Sequence, residues 1–259
     1  MRRFFWIIAI CSFVFAATVS AQEISFSDPQ GDDNGPGNYT YPTDTAYIPG
    51  SFDLTGFKMK ISADQATFEV NVAAKLEDPW GMKTGFAVQT IYIYIDQDHK
   101  EGSGFTKGLP GQNIEFAAAD AWEKCVILSP QSAARVRQEA DSKASSMAAG
   151  VLIPKTTKGT GSKIIGSVSV AELGQGDPAT WGYQVVMQSN EGFPASTDLL
   201  TRKVNEYEGQ HRFGGGNDGD CDPHVMDLLG DDQKAQLTYE CNADGTSKKM
   251  ATIHMVRKS

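Results

Sequence analysis

The chain has 259 residues, a formal net charge of −9, and 40% hydrophobic against 21% charged residues. An acidic balance of this size disfavours nucleic acid and anionic membrane surfaces and suits divalent cations. Length and apolar content allow one sizeable core, and all-β domains often reach this size undivided.

Arg2 and Arg3 precede an apolar run over residues 4–17, and Val19-Ser20-Ala21 is a small-residue cleavage site. The pattern predicts a secretory signal peptide over residues 1–21, cut after Ala21, with the run too short for a membrane span. Residues 22–259 are then one domain, secreted, periplasmic or at the cell surface, with no membrane span after cleavage. Losing the two arginines would take the net charge from −9 to −11. Of four cysteines, Cys11 leaves with the leader and Cys125 sits in the apolar run KCVIL as a buried free thiol. Cys221 and Cys241 flank a short segment and could pair in an oxidising compartment.

Residues 26–53 hold five aspartates, four glycines and four prolines, which no helix period or strand alternation absorbs. Asp28, Asp32, Asp33, Asp44 and Asp53 lie at loop spacing. Carboxylates on tight turns are what calcium takes, six to eight oxygens from side chains and bent backbone. A solvated, turn-rich surface loop is the other reading. Asn38-Tyr39-Thr40 fits a glycosylation sequon.

Strands are expected over 52–59 and 66–73, the latter alternating at Phe68, Val70 and Val72. Asp78-Pro79-Trp80-Gly81 is a break. Residues 86–96 form the strongest strand, with Ile91, Ile93 and Ile95 alternating with Tyr92 and Tyr94, so both faces should meet apolar neighbours. It runs into Asp96-Gln97-Asp98-His99-Lys100-Glu101-Gly102. Lys100 and Glu101 stand where an EF-hand needs a ligand and a glycine, so this is no EF-hand. Asp96 and Asp98 either hold a cation or belong to a charged hairpin connection.

Short strands follow over 114–118 and 121–128. Ser129-Pro130 opens a surface helix over 131–148. Residues 151–157 and 163–170 read as a hairpin around KGTGS, and 181–189 as another strand. Residues 237–240 and 250–256 read as a terminal hairpin. Arg212 to Asp222 (RFGGGNDGDCD) is a folded loop offering Asp218 and Asp220 as extra ligands. Many short strands with turn chemistry between them predict an all-β antiparallel sandwich with one surface helix.

FSDPQGDDNGPGNYTYPTD, YIPGSFDLTGF, LEDPWG, IYIYIDQD, AWEKCVI, WGYQVVMQSNEGF and RFGGGNDGD with DPHVMDLL together resemble the carboxy-terminal domain of glucodextranases. The resemblance covers about residues 26–229. It implies a jelly-roll-like β-sandwich related to family 9 carbohydrate-binding modules and, more distantly, to DOMON domains. It also implies sugar binding or cell-envelope attachment without chemistry of its own, and it favours calcium at Asp28, Asp32 and Asp33. One departure is His211 before Phe213, where relatives are expected to carry an aromatic that could line a sugar site.

A sugar site needs an aromatic face plus amides and carboxylates for hydroxyls. Trp80, in a Pro-Gly turn, is the first choice for stacking; Tyr39, Tyr41 and Trp181 follow, with core packing the alternative for each tryptophan, Trp122 included. Gln89, Asn113, Glu123 and Arg202 are possible hydrogen-bonding partners. No serine-nucleophile elbow or HExxH helix is present, so no enzyme is expected. Zinc at Cys221, His224, Cys241 and His211, or a haem held without covalent attachment, are the minor alternatives. The sequence therefore predicts a secreted, non-catalytic module, stabilised by calcium, that binds α-glucan or cell-envelope polysaccharide. Its rival is an envelope attachment protein whose partner is another protein.

Overall fold

The computed structural model describes residues 22–258, so the leader expected over residues 1–21 lies outside them. In chain order the strands are β1 (Gln22–Ser27), β2 (Leu54–Ser62), β3 (Gln65–Val72), β4 (Gln89–Asp96), β5 (Ile114–Phe116), β6 (Lys124–Leu128), β7 (Val151–Leu152), β8 (Thr157–Thr160), β9 (Lys163–Ser169), β10 (Gly182–Ser189), β11 (Asp227–Leu228), β12 (Glu240–Cys241), β13 (Ser247–Lys249), β14 (Ala251–Ile253) and β15 (Val256–Arg257). Three helices interrupt them: α1 (Ala133–Lys143), α2 (Val170–Leu173) and α3 (Gln233–Gln236). No described helix is long and apolar enough to cross a membrane.

The fold is an all-β sandwich. One antiparallel sheet runs β1-β2-β3-β9-β8 and the other β11-β10-β4-β6-β7, with β15 beside β11 on the same edge of β10. Period-two alternation aims Phe57 and Met59 of β2 and Phe68 and Val70 of β3 at the facing sheet. There they meet Ile91, Ile93 and Ile95 of β4 and Tyr183, Val185 and Met187 of β10. Each such side chain, fully buried, contributes about 1.5–3 kcal/mol.

The second sheet is covered on its outer face as well. Tyr92, Tyr94, Cys125 and Ile127 point there and join a second cluster with Trp122 and with Val136 and Ala140 of α1. All eight residues of β4 are therefore buried, as its two-sided apolar pattern requires. The helix is less of a surface appendage than its polar composition suggests: it starts at Ala133 under a Ser132 cap and closes this cluster. Cys125 is unpaired and buried, which pushes its thiol well up.

Three sequence expectations change. Gln22–Ser27, not anticipated as a strand, pairs along its whole length with β2, from Gln22 opposite Ile61 to Ser27 opposite Gly56. The expected 151–157 strand divides at Pro154. Val151 and Leu152 pair in parallel with β6 in the second sheet, and Thr157–Thr160 makes the hairpin with β9 in the first. Proline supplies no ladder N–H, so the strand cannot continue through it. The terminal hairpin is β12 with β13, and the last apolar run instead pairs in parallel with β5.

Candidate functional site

At the end of β1 the chain leaves the sheet at Asp28 and enters the aspartate-rich loop. Gly35 (φ +59°) lies under the Tyr39 ring, so close that a β-carbon there would overlap it. Its N–H bonds Met226 O at 2.9 Å, fixing the loop against the start of β11. Gln233 of α3 donates to Asp32 O and to Gly35 O. These contacts bring Asp28 and Asp32 against Asp227 of β11, each offering a carboxylate oxygen within 4.8 Å of the others. Asp53, just before β2, accepts the Gly31 N–H at 3.0 Å.

This arrangement is electrostatically unfavourable by itself. No basic side chain lies within salt-bridge distance of Asp28, Asp32, Asp53 or Asp227 among the described residues. One oxygen on each of Asp28, Asp32 and Asp53 is buried with no hydrogen-bond partner. Burial, then mutual repulsion, pushes the Asp28 carboxyl up to about 8 and the Asp227 carboxyl well above the ordinary range, and raises Asp32 and Asp53. Buried carboxylates in this state either carry protons or need a cation. Hard oxygen donors alone, some of them unsatisfied, suit calcium rather than a soft metal. Asp33 is turned aside and accepts the Tyr41 hydroxyl. Asp227 went unassigned from sequence; the only signal was a charge inside the apolar run VMDLL.

The second expected cation position is built differently. Asp96 accepts the backbone N–H groups of Asp98 and His99, at 3.2 and 2.7 Å, and pairs with Arg257, which also holds Asp120 at 2.6 Å. Asp98 accepts Ser103 Oγ at 3.0 Å, and Glu123 accepts the Gln97 N–H at 2.8 Å. The chain's own donors reach Asp96, Asp98 and Glu123, and Arg257 offsets the charge of Asp96, yet these three carboxylates also lie within 4.8 Å of one another, and burial followed by repulsion from Asp98 and Asp96 raises Glu123. Asp218 accepts the Glu206 N–H at 3.0 Å. Burial opposes ionisation of Asp220, but bonds from His224 and Lys203 prevail and hold it at about 2. Cys221 and Cys241 are joined as a disulfide, Cα to Cα 5.6 Å, which leaves no thiolates for the zinc alternative.

The aromatic candidates separate by burial. Trp181 is 2% exposed in the inter-sheet core, and Tyr39 is buried with its hydroxyl on Pro223 O at 2.7 Å. Neither ring can face a sugar, and Tyr41 is committed to Asp33 and the Phe213 ring. Trp122 lies in the second cluster. Gln89 donates to Ser51 O and Asn113 to Asp222 O.

Trp80 is 36% exposed. Its turn is fastened by Asp78, whose two oxygens accept the Met82 and Lys83 N–H groups at 2.7 Å each. Tyr47 and His211 meet the indole edge-on at 6.1 and 5.9 Å, and the Arg202 guanidinium stands 5.9 Å from the ring centroid. Trp80, His211 and Arg202 line a cleft of about 380 Å³ with Gln131, Asn190 and Phe193, the last 93% exposed, while Tyr47 is buried behind the indole. Glu191 in the cleft pairs with Arg202 at 3.2 Å. Of the polar partners read from sequence, only Arg202 is here. The departure at His211 falls inside this cleft, and its Nδ1 is buried without a partner.

A family model described as the SLH-like C-terminal binding module of glucodextranase matches residues 24–256. The chain belongs to this family. No curated protein matches it. The glucodextranase-type module runs from β1 to β15 and so takes in both the carboxylate cluster and the Trp80 cleft. By its description the family is a binding module rather than a catalytic domain.

Proposed function

We propose that this protein is an exported, non-catalytic carbohydrate-binding module whose sugar site is the Trp80 cleft. The observation that carries this is an exposed indole beside convergent polar groups. The apolar face of a pyranose can stack on Trp80, while Gln131, Asn190, Glu191 and Arg202 offer both donors and acceptors to hydroxyls. Membership of a glucodextranase binding-module family supports the same reading, and α-glucan or envelope polysaccharide is the ligand class it favours. The cluster of Asp28, Asp32, Asp53 and Asp227 would hold calcium. The ion's role would be structural: it would neutralise the carboxylates and fix a loop with little apolar burial of its own.

The test is a Trp80→Ala variant assayed for retention on insoluble α-glucan and on cell-envelope polysaccharide. Retention should fall at least about tenfold, the loss of roughly 1.4 kcal/mol of stacking. The melting temperature should drop by no more than about 4 °C, because the ring is partly exposed already. Undiminished retention would remove Trp80 from the site, and a protein partner would become the better reading.

A further inference from the structure

The Trp80 cleft is one end of a longer depression. It shares Met82 and Gln131 with a cavity of about 590 Å³ between the start of α1 and the β7–β8 segment. That cavity shares Ile153, Lys155, Thr156 and Lys158 with another of about 610 Å³ over the outer face of β9. Each is as large as many small-molecule pockets. Three spaces that share walls in succession suit a polymer better than a single sugar.

The charge along this path is opposite to that of the whole molecule. The protein carries −9, yet Lys83, Lys155 and Lys158 line the central cavity and no carboxylate does. All three are exposed, and among the described residues none of their ammonium groups lies within 4.0 Å of a carboxylate, although the Lys83 backbone N–H is held by Asp78. Of the two carboxylates elsewhere on the path, Glu191 is held by Arg202 and Arg212 at 3.2 and 3.5 Å. Glu172 is occupied by Ser169 at the start of α2. A row of unpaired ammonium groups in an otherwise acidic protein is a local field that attracts anions and discriminates by charge.

We infer that the module takes an acidic polysaccharide, a glycan chain bearing carboxylates, laid along the groove from the Trp80 cleft to Lys155 and Lys158. This rests on the sugar site proposed above. Nucleic acid would also be an anionic polymer, but the net charge of the molecule opposes it. Continuity with a sugar-sized cleft in a binding-module fold favours a glycan.

The experiment compares binding of the purified protein to dextran and to carboxymethyl-dextran, which share one backbone and differ in charge. Low and raised salt are compared, for the parent and for a Lys83→Gln, Lys155→Gln, Lys158→Gln triple variant. The parent should bind the carboxymethyl polymer about tenfold more tightly at low salt, and the margin should shrink as salt screens it. In the triple variant the two polymers should bind within about twofold of each other. The lysines are exposed and unpaired, so an unchanged melting temperature confirms that the variant is folded. Equal binding of both polymers by the parent overturns the acidic-ligand inference and leaves the sugar site standing. A preference that survives in the triple variant overturns it too, by placing the charge discrimination elsewhere. Binding to neither polymer removes the sugar site and this inference together.

Discussion

Trp181→Ala should destabilise the protein by about 3–5 kcal/mol, the usual cost of emptying a large aromatic from a packed core. Trp181 stands immediately before β10, in step with Tyr183, Val185 and Met187 on the face that meets the first sheet. A β-carbon on Gly176 would come within 2.8 Å of its indole nitrogen, so backbone closes over the ring. No collapse of the flanking strands refills that space, because β10 is held in register with β4 over eight residue pairs. At roughly 2–4 °C per kcal/mol the melting temperature should fall by about 6–20 °C. Urea unfolding of Trp181→Ala beside Trp80→Ala is the check. Two small and equal shifts in midpoint would mean that Trp181 is not the core residue this structure makes it.

Calcium removal should produce the second large effect. At a free concentration one hundred times its dissociation constant, an ion bound only by the folded state adds about 2.7 kcal/mol. A chelator should therefore lower the melting temperature by about 5–10 °C. Asp28→Asn and Asp227→Asn variants should lose this response, and the amides should partly relieve the repulsion that makes the ion-free cluster costly. The pH dependence has a definite sign. Folding raises these carboxyls, Asp28 to about 8, so between the ordinary carboxylate range and pH 8 the ion-free folded state holds protons that the unfolded chain has released. Ion-free stability therefore falls as pH rises through that window. Calcium must displace the same protons, so its stabilising increment should be larger at pH 8 than at pH 5. A melt indifferent to excess calcium and to chelator, or an increment larger at pH 5, would contradict calcium at this cluster.

The elements that the sequence made legible are those whose local pattern and tertiary setting agree. Residues 89–96 alternate isoleucine and tyrosine without glycine or proline, and both faces are covered. Ser132 caps α1 close to where Ser129-Pro130 marked its start. The 151–157 run misled because two residues of parallel pairing leave no periodic trace and Pro154 hides the change of sheet. The first strand escaped because six residues just before an aspartate-rich loop give alternation little room to show.

The same contrast runs through the two sites. Asp28 and Asp32 announced themselves by turn chemistry, but Asp227 arrives from the far end of the chain, and only topology brings β11 to the end of β1. Trp80 was legible because a Pro-Gly turn presents a side chain outward, and Asp78 does hold that turn. Trp181 carried a contrary signal in its spacing: residues 181, 183, 185 and 187 share one strand face, and three of them are plainly core types. Tyr39 is buried by its contact with Gly35, which no spacing rule reveals.

The measurement that bears most directly on the central claim is calorimetric titration of the protein with malto- and isomalto-oligosaccharides, alongside Trp80→Ala under the same conditions. A saturable heat with at least one series, absent or weakened at least tenfold in Trp80→Ala, is the expected result. Silence both across the panel and with cell-envelope polysaccharide, from a protein with an intact melting transition, or a heat that Trp80→Ala leaves unchanged, would contradict a sugar site at the Trp80 cleft.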